Sequence, residues 1–158
     1  MVICRAKVAI VIEYCVVLSN KNMASFTTIY LGELRCSNIH ENSGTEIFTD
    51  APIDNQGKGS AFSPTDLCAL SLTTCIITTM GIYAQLKDFE IPYISARTQK
   101  VMGSNPRRII KIIGEINITL SNDASDRDRE GLLRIAHTCP VSKSLHPDIE
   151  QDIQIHFQ

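Results

Sequence analysis

No two of the six cysteines form a Cys-x-x-Cys pair; Cys4, Cys15, Cys36, Cys68, Cys75 and Cys139 stand singly along 158 residues. That spacing argues against a paired-ligand zinc site and is too sparse for a small secreted disulfide scaffold. Reduced thiols in a cytoplasmic protein fit it better. A basic surplus is also missing. Fifteen Lys and Arg face 17 Asp and Glu, for a net charge of −2, and only Asn105-Pro106-Arg107-Arg108 concentrates positive charge. Nucleic acid is therefore not an expected partner. Neither is a membrane: the apolar stretch from Val8 to Leu18 is broken by Glu13 and falls short of the roughly 20 residues a span requires. Arg5 and Lys7 precede that stretch as in a signal peptide, but no Ala-x-Ala cleavage pattern follows. The polar stretch from Asp50 to Gly59 lacks the spacing of a phosphate-binding loop. No internal repeat or low-complexity segment is present.

What is present suits one domain with a substantial core, since 44% of residues are hydrophobic and 20% charged. Residues 1–22 read as an extension outside the core fold. Met23-Ala24-Ser25-Phe26 would open a domain running over 23–158. Thr27 to Leu31 is β-branched and aromatic and predicts a strand, with Glu46 to Thr49 as its partner across a turn at Asn42-Ser43-Gly44. Ser63-Pro64-Thr65-Asp66 combines a cap residue, proline at the first helical position and a carboxylate three residues after the cap. It predicts a helix from Pro64 to about Leu86, apolar nearly all round and hence buried on most sides. Two long strands should follow, Ile91 to Met102 and Arg107 to Leu120. Alternation in the second puts Ile110, Ile112, Ile116, Ile118 and Leu120 on one face. A polar stretch from Asn122 opens a helix to about His137, Cys139-Pro140 starts a short one, and Ile153, Ile155 and Phe157 alternate in a last strand. This order predicts an α+β architecture.

Two cysteines stand out on chemical grounds. Cys75 falls in mid-helix on a stripe with Cys68, Ser71 and Thr79, facing either a pocket or, as a small hydrophobe, the core. Cys139 falls at a helix start, where free N–H groups and the helix dipole favour a thiolate, with His137 and Lys143 nearby to add charge. A plain cap residue is the alternative for it. A zinc site of Cys68, Cys75, His137 and Cys139 fits poorly, because structural zinc takes ligands in closely spaced pairs.

The segment Gly59 to Leu67, continuing through Ser71-Leu72-Thr73-Thr74-Cys75, resembles the central helix of the OsmC/Ohr family. His137-Thr138-Cys139-Pro140-Val141-Ser142 resembles that family's second cysteine motif, 139 − 75 = 64 residues on. The resemblance extends over nearly everything after Met23. It implies an OsmC-like fold, antiparallel sheets around a long buried central helix, in an intertwined homodimer. It implies a thiol-dependent peroxidase acting on small, chiefly organic, hydroperoxides in the oxidative stress response. Cys75 would be the attacking thiol and Cys139 its disulfide partner. No cofactor or metal is implied, only an external dithiol or dihydrolipoyl-type reductant. Arg35 best matches the family arginine that stabilises the thiolate. The glutamate that often holds this arginine is replaced here by Thr65, in a Ser-Pro-Thr-Asp-Leu variant of the motif, with Asp66 next to it and committed to capping. A protein of this fold that binds a small apolar or thiol ligand without turnover is the alternative.

Overall fold

A computed structural model describes residues 24–158. The expected extension, residues 1–22, lies outside the described residues. The chain divides into two compact units, one ending at Ala61 and the other beginning at Phe62.

The first unit is a three-stranded antiparallel sheet in the order β1 (Phe26–Gly32), β2 (Arg35–His40), β3 (Glu46–Asp50). The Asn42–Gly44 turn thus joins β2 to β3, and Glu46–Thr49 pairs with β2 rather than with the first strand. The sequence concealed β2 for two reasons. Its residues Ser37, Asn38 and His40 are polar, and the turn before it, Gly32-Glu33-Leu34, carries positive φ on two non-glycine residues, so the usual Asn-Gly signal is absent. After β3 the chain makes a single 3-10 turn at Ile53–Asn55 and folds back on Ala51. Gly57 allows this, because a Cβ there would lie 1.7 Å from the Ala51 carbonyl oxygen.

The second unit is built on α1 (Pro64–Lys87). Ser63 Oγ accepts from the Asp66 N–H at 3.1 Å, and Asp66 Oδ2 accepts from the Ser63 N–H at 2.7 Å. This reciprocal cap satisfies two of the donors a helix start leaves open. Strands β4 (Tyr93–Ser104) and β5 (Arg107–Thr119) pair antiparallel. Helices α2 (Asp126–Ala136) and α3 (Pro140–Ser144) then carry the chain back to β6 (Glu150–Phe157), which lies parallel to β5. The α+β class stands, but this sheet is mixed rather than antiparallel throughout. A strand that returns through helices to the same end of its neighbour must run parallel to it.

Leu72, Ile76 and Met80 of α1 are buried with Ile112, Ile116 and Ile118 of β5 and Leu132 of α2. Gly114 lets the helix approach the sheet closely, since a Cβ there would meet Thr73 Cγ2 and Ile153 Cδ1, each at 2.8 Å. Beside it the Thr73 and Thr98 hydroxyls are 2.6 Å apart. Burial of α1 within one chain is one-sided. Leu70, Ile82 and Leu86 stay 37%, 52% and 78% exposed. By length and composition α1 could cross a membrane, but its buried stripe packs into the core just described.

One face assignment changes. A register shift at Val101/Met102 pairs Val101 with Lys111 and Met102 with Ile109, leaving Ile110 without a partner. This bulge flips the alternation by one residue, so Ile109 is buried and Ile110 exposed. Ile109→Ala should therefore cost about 2–4 kcal/mol and Ile110→Ala less than about 1 kcal/mol. Urea unfolding of the two variants checks this, and equal losses would contradict the bulge.

Candidate functional site

Leu72, Ile76 and Met80 define the inward stripe of α1, and Cys75 sits on its flank, half-buried against the core. Cys139 is the N-cap of α3 and is fully buried. Its Sγ accepts from the Ser142 N–H at 3.3 Å. The Ser142 hydroxyl donates to Gln151 Oε1 at 2.7 Å and the Gln151 amide donates back to the Ser142 carbonyl at 3.2 Å, which ties α3 to β6. The fold thereby sets the Cys139 thiol near the Cys75 thiol, close enough for Cys75 to bear on its ionisation. Both are free thiols in this structure.

The environment of Cys139 differs from expectation. The helix-start N–H groups of Ser142 and Val141 do favour its thiolate, but burial outweighs them, and the Cys75 thiol beside it adds to the same side. The Cys139 pKa is raised, so this thiol stays protonated where an ordinary one begins to ionise. Of the pair, Cys75 is the one with access to solvent.

Arg35 belongs to the first unit. It stands directly opposite Asp50 in the β2–β3 ladder. Its Nε donates to Asp50 Oδ1 at 2.7 Å and its Nη2 to Oδ2 at 2.8 Å, a two-point grip with the geometry that favours arginine over lysine. Ser60 closes the group. It donates to Asp50 Oδ2 from its N–H at 3.0 Å and from its hydroxyl at 2.7 Å, and accepts from Arg35 Nη2 at 2.5 Å. Asp50 is 1% exposed and Arg35 33%. The guanidinium and the Ser60 donors hold the Asp50 carboxyl well below the usual carboxylate range.

Lys100 is a residue that the sequence reading missed. From β4 its ammonium donates to Ser63 Oγ at 2.9 Å, Thr65 Oγ1 at 2.7 Å and Asp66 Oδ1 at 2.6 Å. The available signal was a lysine in register with Ala96 and Thr98, on the strand face turned toward α1. Both Asp66 oxygens are thus engaged, one by capping and one by Lys100. Among the other cysteines, Cys36 is half-buried in β2 and Cys68 exposed on α1. Among the described residues no three His, Cys, Asp or Glu side chains group as metal ligands.

A mixed α+β fold with a reduced thiol pair at the flank of its long helix defines a class of small thiol proteins. Residues 57–154 match the family described as OsmC-like protein, and the chain belongs to that family. It is similar to a crystal structure from Psychrobacter arcticus 273-4, of a protein named for osmotic stress induction and a detoxification response. The identity is 45% and the TM-score 0.76, over 87% of this chain and 99% of that one. It is also similar in fold to an organic hydroperoxide resistance protein of Legionella pneumophila (14% identity, TM-score 0.65, 87% and 99% covered). A third similar structure is an OsmC-like protein of unknown function from Vibrio cholerae (12%, 0.71, 84% and 99%). No curated protein matches the chain.

The two thiols should differ in reactivity. With limiting iodoacetamide near neutral pH, Cys75 should be alkylated before Cys139, whose labelling should rise only at more alkaline pH than an unfolded thiol requires. Peptide mass spectrometry checks this order, and early labelling of Cys139 would contradict its burial. Acid stability offers a second check. Asp50 is depressed in the folded state, so its contribution is complete above the unfolded carboxylate pKa of about 3.9 and is lost as pH falls through the lower folded value. Asp50→Asn should remove that part of the acid dependence, and an unaltered acid limb in denaturation curves would contradict it.

Proposed function

We propose that the chain is a thiol-dependent peroxidase for organic hydroperoxides, working through Cys75 and Cys139. The observation that carries this is the proximity of a half-exposed thiol on a rigid helix to a fully buried one whose ionisation is disfavoured. The Cys75 thiolate attacks the terminal oxygen of the hydroperoxide. The O–O bond breaks, the alcohol leaves with the proton it gains, and Cys75 becomes a sulfenic acid. The Cys139 thiol then attacks the Cys75 sulfur, water leaves, and a disulfide forms. An external dithiol, of dihydrolipoyl type, reduces that disulfide and is itself oxidised to a disulfide. A fixed positive charge would favour such a thiolate, and by its resemblance to the family arginine Arg35 is the candidate for that role.

The assembly we propose is a homodimer in the reducing cytoplasm, its partner covering the exposed α1 side chains Leu70, Ile82 and Leu86. Thr65 favours a second reading, a binder of small ligands without turnover, because its hydroxyl is engaged by Lys100 and it carries no charge to hold an arginine.

Consumption of cumene hydroperoxide and of hydrogen peroxide with a dithiol separates the two readings. Turnover should favour the organic peroxide and vanish in Cys75→Ser. In Cys139→Ser it should fall at least about tenfold or end with each enzyme reacting once, since the sulfenic acid has no partner. No turnover by a folded wild type with both thiols free would replace this proposal by the binding reading.

A further inference from the structure

Alternation along β6 gives residues 151, 153, 155 and 157 one face. Ile153, Ile155 and Phe157 pack against the core from it, and the fourth place belongs to Gln151. An amide on such a face is costly unless its oxygen and its nitrogen are both bonded. Here both ends meet one residue, nine positions back. Oε1 accepts from the Ser142 hydroxyl at 2.7 Å, and Nε2 donates to the Ser142 carbonyl at 3.2 Å. Gln151 is itself fixed in the ladder opposite Ile112, which is fully buried.

Ser142 has need of that anchor. Helix α3 is a single turn of five residues, too short to persist by its own hydrogen bonds. The Ser144 hydroxyl turns back on the Pro140 carbonyl at 2.9 Å, within the helix. In the loop that follows, the Asp148 and Ile149 N–H groups both return to His146. Among the described residues, the side-chain hydrogen bonds that reach α3 from another element are the two from Gln151. The residue they hold is the one whose N–H donates to Cys139 Sγ.

We infer that Gln151 is a positioning residue for Cys139, acting through Ser142 to hold the Cys139 sulfur where it can close on Cys75. This deepens the proposed function and rests on its reading that the two thiols form a disulfide. The clasp sets the Ser142 N–H, and that N–H orients the sulfur and meets the negative charge that grows on it as it attacks. Both bonds of Gln151 end on Ser142, so its action is confined to the closing step.

The test uses diamide, an azo oxidant that drives closure without peroxide. The Cys75 sulfur adds to one nitrogen of the N=N bond and its proton goes to the other. Cys139 then displaces the hydrazine, which leaves with the Cys139 proton, and the disulfide remains. Quenched mass spectrometry of the full-length reduced protein follows the Cys75 adduct and its conversion to the Cys75–Cys139 crosslink. The proteins compared are wild type, Gln151→Leu, Ser142→Ala and the double variant. In Gln151→Leu the adduct should form at the wild-type rate and close about tenfold more slowly, the scale of a lost orientation. Ser142→Ala keeps the carbonyl bond and should close about threefold more slowly. The double variant should be no slower than Gln151→Leu alone. Closure at the wild-type rate in Gln151→Leu, or multiplied losses in the double variant, would overturn the inference. So would rapid iodoacetamide labelling of Cys139 in Gln151→Leu, which would mean that α3 has merely opened. If Gln151→Leu does not fold, Ser142→Ala decides alone, and unslowed closure there counts against the inference. A wild type that diamide cannot close also overturns it. A wild type that closes with diamide but not with hydroperoxide sinks the peroxidase reading and leaves this one standing.

Discussion

The contact that everything in the second unit depends on is the close seating of α1 on the β4–β5 sheet. Gly114 has no side chain to hold the helix off, Thr73 drops onto Thr98, and Leu72, Ile76 and Met80 fill the space alongside. This seating fixes the rotation of α1 about its axis. Residues spaced by four point inward, so Cys75 falls one position off the stripe, at the edge between core and solvent. A rotation by one residue would bury it or expose it outright. The same seating brings Cys75 to Cys139, whose own place is set by the Ser142–Gln151 pairing between α3 and β6.

From that geometry the two thiols acquire different exposure, Cys75 half-buried and Cys139 fully buried. Helix starts favour thiolates, and Cys139 does receive the Ser142 N–H, yet complete burial dominates its ionisation. A buried neutral thiol resists early reaction beside a more accessible one, the order of reactivity on which the proposed peroxide cycle relies. Within the first unit, Arg35 and Asp50 form a pair of their own, the carboxylate supplied by the neighbouring strand.

Much of this was legible in the residues. The Ser63-Pro64-Thr65-Asp66 start, both helices after it and the final strand carry local signals with a mechanism at each position, and they fall where those signals put them. The threonines of α1 are explained as well. Thr73, Thr78 and Thr79 donate to carbonyls three or four residues earlier, as Ser71 does. The illegible parts depend on contacts distant in sequence. Strand β2 is polar and entered through a turn of non-glycine residues, and the flip of Ile109 and Ile110 comes from a bulge that only pairing reveals. Lys100 and Asp50 look like surface charges until the partners that hold them, 34 and 15 residues away, are in place.

The central claim is that Cys75 and Cys139 form one redox couple. Its most direct test is intact-mass and peptide analysis of the reduced protein after one equivalent of cumene hydroperoxide. The account predicts the loss of two hydrogens and a single crosslink joining the Cys75 and Cys139 peptides, absent from either serine variant. An unchanged mass, or a crosslink that runs instead through Cys36 or Cys68, would contradict it.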